Sequence, residues 1–476
     1  MCQGIRQTVK KRIINSIMWA LFWVLPHSLS ELAWSADVSR HQSAAEVQEK
    51  LAVTDLRYLS QREFKEALAV LEEAVTQNGA DETAWFYLGV CLGRLARHED
   101  AIDAYLKALM INPRHAEACN NLGWIYGKLG RWEEAVETYR RAIQIKPNFA
   151  EAYNNLGWAY HQLALYPQAV EAYLQALKLN PRLAVLHNNL AITYRALGRN
   201  AEAIASYQQA ILINPRYAEA YNNLGVSHAK SAQWHEAAEC YRKAIQIRSD
   251  YAEAHNNLGV AYHRLGLLSD AIQAFEVALS INPLLAEVHN NLGLSYAGLG
   301  RWQDAIQSYT QASRLRPDFV AALYNLAAAY DKLGQHEYEI RTWKRALQVA
   351  PESALAHNNL GVAYGKSGRY REEAKACRQA VKIKPDLDVA HYNLALSYLR
   401  LGDKRSEREE ETALDLLNPS LAGQLRELAA HQFSVSVDDV AALHRRVSLT
   451  PANVTGGVPD EAFGEVVPPA NQMLQH

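Results

Sequence analysis

Five cysteines in 476 residues, none in a C-x-x-C pair, are too scattered for a disulfide framework or a structural metal centre. Cys2 belongs to the extreme N-terminus, and Cys91, Cys119, Cys240 and Cys377 stand far apart, as small apolar core residues do. Basic residues are equally unclustered. Past the first dozen residues there is no Lys/Arg run, and 49 basic against 51 acidic side chains leave a net charge of -2, which argues against nucleic acid as a partner. The chain also has no phosphate-binding glycine loop, no G-x-S-x-G and no H-E-x-x-H. These absences predict a protein that is not an enzyme, with no cofactor and no metal.

What the chain has is repetition. Asn121, Asn155, Asn189, Asn223, Asn257, Asn291, Asn325, Asn359 and Asn393 recur every 34 residues. Such a register means one structural unit copied in series, so the core grows along the chain instead of closing on itself. One copy, beginning at Ala116, reads AEACNNLGWIYGKLGRWEEAVETYRRAIQIKP. Cys119, Leu122, Gly123 and Tyr126 fall at i, i+3, i+4 and i+7, the apolar stripe of an amphipathic helix. Gly130 supplies a left-handed residue that ends it. A second stripe, Ala135, Tyr139, Ala142 and Ile143, runs up to Pro147, which stops a second helix. Gly123 and Ala135 are the small residues at which two helices can cross.

This pattern resembles the tetratricopeptide repeat family, with Leu122-Gly123, Tyr126, Ala135, Tyr139, Ala142 and Pro147 at the family's intervals. Repeats begin at residues 48, 82, 116, 150, 184, 218, 252, 286, 320, 354 and 388, eleven in all, with Asp55 in place of the glycine in the first. The resemblance implies an all-α, right-handed superhelical solenoid of helix-turn-helix repeats whose first helices line the concave side. The run AEAYNNLG is similar to repeats of the O-linked N-acetylglucosamine transferases, without their catalytic domain. The expected boundaries are a solenoid over 48–421, a C-terminal capping helix region over 422–447 and a disordered tail over 448–476. In the last three repeats the crossing alanine becomes Glu339, Glu373 and Glu407, and the cost of burying a carboxylate predicts that those helices splay to let it out.

The asparagine is position 6 of the repeat, counting Ala116 as position 1. With positions 4, 7, 8 and 11 assigned to the core, 3.6-residue periodicity puts position 6 on the exposed face of the first helix. A row of amides offers donors and acceptors to an extended peptide backbone, and in the transferases such rows hold bound protein segments. Peptide binding by the nine asparagines competes with a second explanation, hydrogen bonding between neighbouring helices, which produces the same regularity. Position 9 carries Trp124 and Trp158, aromatic anchors for a side-chain pocket. Lys128, Arg195, Lys230, Arg264, Lys332, Lys366 and Arg400 make the same side mildly positive, favouring an anionic peptide. Position 4 histidines, His187, His255, His289, His357 and His391, are too far apart to share an ion and read as packing residues.

Arg6, Lys10, Lys11 and Arg12 precede a mostly apolar stretch, Ile13 to Leu25, and Ala33-Trp34-Ser35 offers small residues for cleavage after Ser35 or Ala36. Residues 1–35 therefore read as a signal peptide, or as a retained N-terminal anchor, followed by a linker over 36–47. The function expected from these features is an exported, periplasmic or secreted scaffold with protein or peptide clients. The alternative is a substrate-recruiting subunit of a separate enzyme such as a glycosyltransferase.

Overall fold

The computed structural model describes residues 43–53 and 59–430. The targeting segment at 1–35, most of the linker, Asp55, the C-terminal stretch from 431 and the tail at 448–476 lie outside the described residues. The described residues form 23 α-helices and no strand. They begin with α1 (Ala44–Val53), α2 (Gln61–Gln77), α3 (Glu82–Arg94), α4 (His98–Ile111) and α5 (Ala116–Lys128). Next come α6 (Trp132–Ile145), α7 (Ala150–Gln162), α8 (Tyr166–Leu179) and α9 (Ala184–Ala196). These belong to one compact unit, which ends at Gly198.

A second compact unit starts at Arg199. It holds α10 (Asn200–Ile213), α11 (Ala218–Lys230), α12 (Trp234–Ile247), α13 (Ala252–Arg264) and α14 (Leu268–Ile281). It continues through α15 (Ala286–Gly298), α16 (Trp302–Leu315), α17 (Val320–Lys332), α18 (His336–Val349) and α19 (Ala354–Lys366). The last four are α20 (Tyr370–Ile383), α21 (Asp388–Leu401), α22 (Lys404–Leu417) and α23 (Pro419–Ala430).

Within each unit the helices pair as antiparallel hairpins stacked in sequence order. α5, for example, packs on α4 and α6 and also touches α3 and α7, the first helices of the repeats on either side. A first helix therefore has neighbours on three sides. The same first-helix contacts link α11, α13, α15 and α17 in the second unit.

Several hairpins are locked where a glycine of the first helix meets an aromatic ring of the second. A Cβ built on Gly157 would stand 2.8 Å from the Tyr173 ring, on Gly225 2.6 Å from Tyr241, and on Gly259 2.6 Å from Phe275. These rings are wholly buried, as are the crossing alanines Ala135, Ala169, Ala237 and Ala271. At these three positions a hydrogen leaves room for the ring to lie against the first helix, and that close fit fills the hairpin at the density of a protein interior.

The turn between the two helices requires a left-handed residue. Gly130, Gly266 and Gly334 take φ of +73°, +77° and +65° there, whereas Ala96, Ala164 and Ala232 are forced to +61°, +55° and +57°. An L-residue with a Cβ is strained in that region by about 1 kcal/mol, so the repeat's packing imposes the turn against local preference at those three alanines.

Two differences from expectation concern ends and crossings. α1 starts at Ala44, inside the segment expected to be linker, because Ser43 and Glu46 cap it reciprocally: the Ser43 N–H donates to the Glu46 carboxylate at 3.1 Å and the Glu46 N–H to Ser43 Oγ at 3.3 Å. Glu339, Glu373 and Glu407 do not splay their helices. They stay buried, at 4%, 0% and 8% exposure. Glu373 is accommodated because position 12 of its repeat is Gly365, where a Cβ would stand 2.5 Å from Oε1, and because Arg400 donates to Oε2 at 3.3 Å. Among the described residues no helix is long and apolar enough to cross a membrane.

Near the end of the second unit, His391 donates Nε2–H to the Pro385 carbonyl at 2.9 Å and is paired through Nδ1 with Glu410. The Glu410 hydrogen bond raises the imidazole pKa above its ordinary value, against the opposing effect of burial. A raised folded-state pKa stabilises the fold fully below the unfolded value of about 6.5, and that contribution is lost as pH rises through the folded value. Hydrogen exchange of α21 and α22 is therefore expected to slow on acidification from pH 8 to pH 6 more in the native chain than in His391→Gln; equal slopes would remove the pairing as the cause.

Candidate functional site

The nine asparagines do share one face of the first helices, but that face is not open. Eight of them are between 0% and 6% exposed and Asn325 is half-buried. Their amides bond to the neighbouring asparagine row. In the first unit Asn155 Nδ2 donates to Asn120 Oδ1 at 3.0 Å and Asn189 Nδ2 to Asn154 Oδ1 at 3.1 Å. In the second, Asn257 donates to Asn222 at 3.1 Å, Asn291 to Asn256 at 3.3 Å, Asn325 to Asn290 at 3.0 Å and Asn393 to Asn358 at 3.0 Å.

A second set of bonds joins the two asparagines within several repeats. Asn154 Nδ2 donates to Asn155 Oδ1 at 3.2 Å, Asn256 to Asn257 at 3.4 Å and Asn358 to Asn359 at 3.2 Å. In these copies position 5 accepts from the following repeat and donates within its own. In the first unit the amide-to-amide bonds run unbroken from Asn189 to Asn121, a setting in which such bonds reinforce one another, whereas in the second unit they are interrupted at Tyr324 and at Asn222, whose Nδ2 has no hydrogen-bond partner among the described residues. Where position 5 is Tyr324, its hydroxyl instead meets Ser353 Oγ at 2.6 Å. The exposed placement expected from helical periodicity is corrected: periodicity assigns one buried stripe, while a first helix in a stack is covered on three sides.

Trp124 and Trp158 are likewise buried, at 9% and 5% exposure. Trp158 stacks on His161 with ring centres 5.3 Å apart, and Trp124 lies under the Lys128 ammonium at 5.0 Å. Position 9 is packing along most of its length, with Val226 and Val260 wholly buried. The position 4 histidines hold the turn before their own helix. His187, His255, His289 and His357 each donate Nε2–H to a carbonyl six residues earlier, at 3.0–3.2 Å. Burial pushes the Cys91 and Cys240 thiols up to about 12, so neither is a nucleophile near neutral pH.

The cations differ in burial and pairing. Lys366 and Arg400 are tied to Asp331 and Glu373. Lys230 and Lys332 are exposed, and Lys128 and Arg264 half-buried. Arg195 is 7% exposed, and its Nη1 has no hydrogen-bond partner among the described residues. A buried guanidinium with an unmet donor is costly, and a carboxylate satisfies it better than any neutral group.

One cluster escapes a motif search. Asp331, His336 and Glu339 place one ligand atom each within 4.8 Å of one another. Their spacing matches no familiar signature. The available signal was that positions 12, 17 and 20 all depart from the repeat in the same copy.

These features define an array of helical hairpins. Profiles described as TPR repeat match residues 125–163, 193–231, 233–266 and 295–334, and profiles described as tetratricopeptide repeat match 56–118, 104–137, 150–183, 172–205, 252–283, 321–353 and 340–388. The chain belongs to the tetratricopeptide repeat family, whose arrays are scaffolds that bind proteins and peptides. No curated protein sequence matches it. Among solved structures, MamA is 27% identical over 34% of this chain and 95% of its own, with a TM-score of 0.32. YrrB, described as a TPR protein with an unusual peptide-binding site, is 22% identical over 40% of this chain and 97% of its own, with a TM-score of 0.35.

Proposed function

We propose that this protein is an exported scaffold that holds an extended, acidic segment of a partner protein along the first-helix side of its repeats. The observation that carries this is Arg195, a buried cation with an unmet donor, together with Lys128 at position 13 in the same unit; the second unit by itself repeats the pattern with Lys230, Arg264 and Lys332 at position 13. The 34-residue period sets the spacing at which cations recur; most amides of the asparagine rows are engaged with each other. Export rests on the basic and apolar character of residues 6–25 and the small residues around Ser35.

The test uses the full chain expressed in its native host and a fluorescent peptide of alternating Glu and Gly. Binding is expected to weaken as salt rises from about 0.05 M to about 0.5 M, because screening shortens the reach of exposed charges. Arg195→Gln should lower affinity about tenfold or more, since a buried ionic contact outweighs a rim charge. A neutral Gln/Gly peptide binding equally well, or an Arg195→Gln affinity equal to the native one, refutes the acidic client. N-terminal sequencing of the same preparation should read from Ala36 or Asp37; an intact Met1 in a soluble fraction refutes export.

A further inference from the structure

The hairpin of α17 and α18 carries three departures from the repeat that converge in space. Position 12 is glycine or alanine in several other copies (Gly127, Ala229, Ala297, Gly365), His161, Arg195 or His263 in three, and Asp331 here; position 17 is aromatic in several copies (Trp132, Trp234, Trp302, Tyr370) and here His336; position 20 is alanine in most copies (Ala135, Ala237, Ala305) and here Glu339. Elsewhere the histidine and the glutamate each occur without the other two changes. His98 is accompanied by Gly93 and Ala101, and Glu373 by Gly365 and Tyr370.

From this convergence we infer that Asp331, His336 and Glu339 form a binding site for a divalent transition-metal ion of the zinc class. His336 opens α18 and Glu339 lies one turn further on, so both face Asp331 at the end of α17. The turn joining them is clamped by Gly334 N–H donating to the Asp331 carbonyl and Gln335 N–H to the Tyr330 carbonyl, both at 2.9 Å. Three ligands within nine residues of a closed turn are therefore held close before any ion arrives, which lowers the ordering cost of binding.

The chemistry of the set selects the ion. One imidazole with two carboxylates suits zinc and its neighbours, and three protein ligands leave a fourth position for water or a partner's side chain. Calcium and magnesium prefer oxygen alone. Charge favours occupancy as well. Glu339 is 4% exposed where most other repeats bury alanine, and its carboxylate meets His336 Nδ1 at 3.1 Å. Lys366 is paired with Asp331 Oδ1, which orients that carboxylate and leaves Oδ2 available. Two carboxylates against one ammonium favour a cation in this partly buried turn.

The test titrates the chelator-treated full chain with Zn2+ alone by calorimetry and thermal melting, and with Co2+ by visible absorption. One equivalent should bind and raise the melting temperature. The double variant His336→Trp, Glu339→Ala restores residues that other copies carry at those positions, so it is expected to fold. It should lose affinity more than about 100-fold, because removing even an outer hydrogen-bond partner of a metal ligand costs about 10–100-fold. His289→Gln, at a distant turn, should bind as the native chain does. The site is refuted if the native chain binds no Zn2+, or if the double variant retains the same stoichiometry and affinity; the latter would place the ion on other surface histidines.

Discussion

Asn257→Ala is expected to destabilise the second unit by about 2–4 kcal/mol, although it removes only a small polar side chain. The change strips two buried groups of their partners, Asn222 Oδ1 and the Nδ2 of Asn256. Each orphaned group costs about 1–3 kcal/mol, because nothing in the folded chain replaces the water it gave up. Hydrogen exchange in α11 and α13 reads the effect locally, which matters because a long repeat array need not unfold in one step. A double-mutant cycle on Asn222 and Asn257 should show coupling of about 1 kcal/mol or more, as residues in one hydrogen-bonded network do. If the amides served only a client, the single substitution would sit on an ordinary surface and cost no more than about 0.5 kcal/mol. That outcome would dismiss the buried run as the reason for the 34-residue recurrence.

Tyr173 offers the largest loss. Its ring is wholly buried against Gly157, and Tyr173→Ala should cost about 3–5 kcal/mol through lost burial and the cavity left behind. The hydroxyl behaves oppositely. It is buried without a hydrogen-bond partner among the described residues, so Tyr173→Phe is expected to be neutral or stabilising. Phe275 occupies the same place against Gly259 in another repeat, so a phenyl ring already fits this lock. Filling the lock from the other side should also fail: Gly157→Val drives a branched side chain into the ring and should cost about 1–3 kcal/mol. Urea melts of the four chains separate the ring's contribution from the hydroxyl's. A Tyr173→Phe chain as unstable as Tyr173→Ala would mean that the hydroxyl, not the packing, holds the hairpin.

Much of the architecture was legible in the residues. The period, the two helices per copy, the stops at Gly130 and Pro147 and the pairing of Gly123 with the second helix all follow from local rules, because each depends on residues within one hairpin. The asparagines show where such rules end. Their recurrence was plain, and both explanations of it, client and neighbour, were consistent with the sequence. Choosing a face required knowing how many helices surround each first helix. A hydrophobic stripe reports the one contact that needs apolar surface, whereas the sides of α5 and α7 facing other repeats are closed by amides that bond to one another and look polar in the sequence.

The same limit applies to the acidic crossings. Glu339 and Glu373 looked alike on paper, each a carboxylate in place of alanine. Glu373 is paired by Arg400 from the next repeat and by the room Gly365 leaves. Glu339 instead faces His336 and Asp331 inside its own hairpin. By itself, then, the sequence determined the repeat, its helices and its family, since these rest on short-range pattern and are copied many times over. The tertiary structure decided which polar residues are buried, what each is bonded to and where three unrelated departures meet, because those outcomes depend on neighbours that the period places side by side only after the helices have stacked.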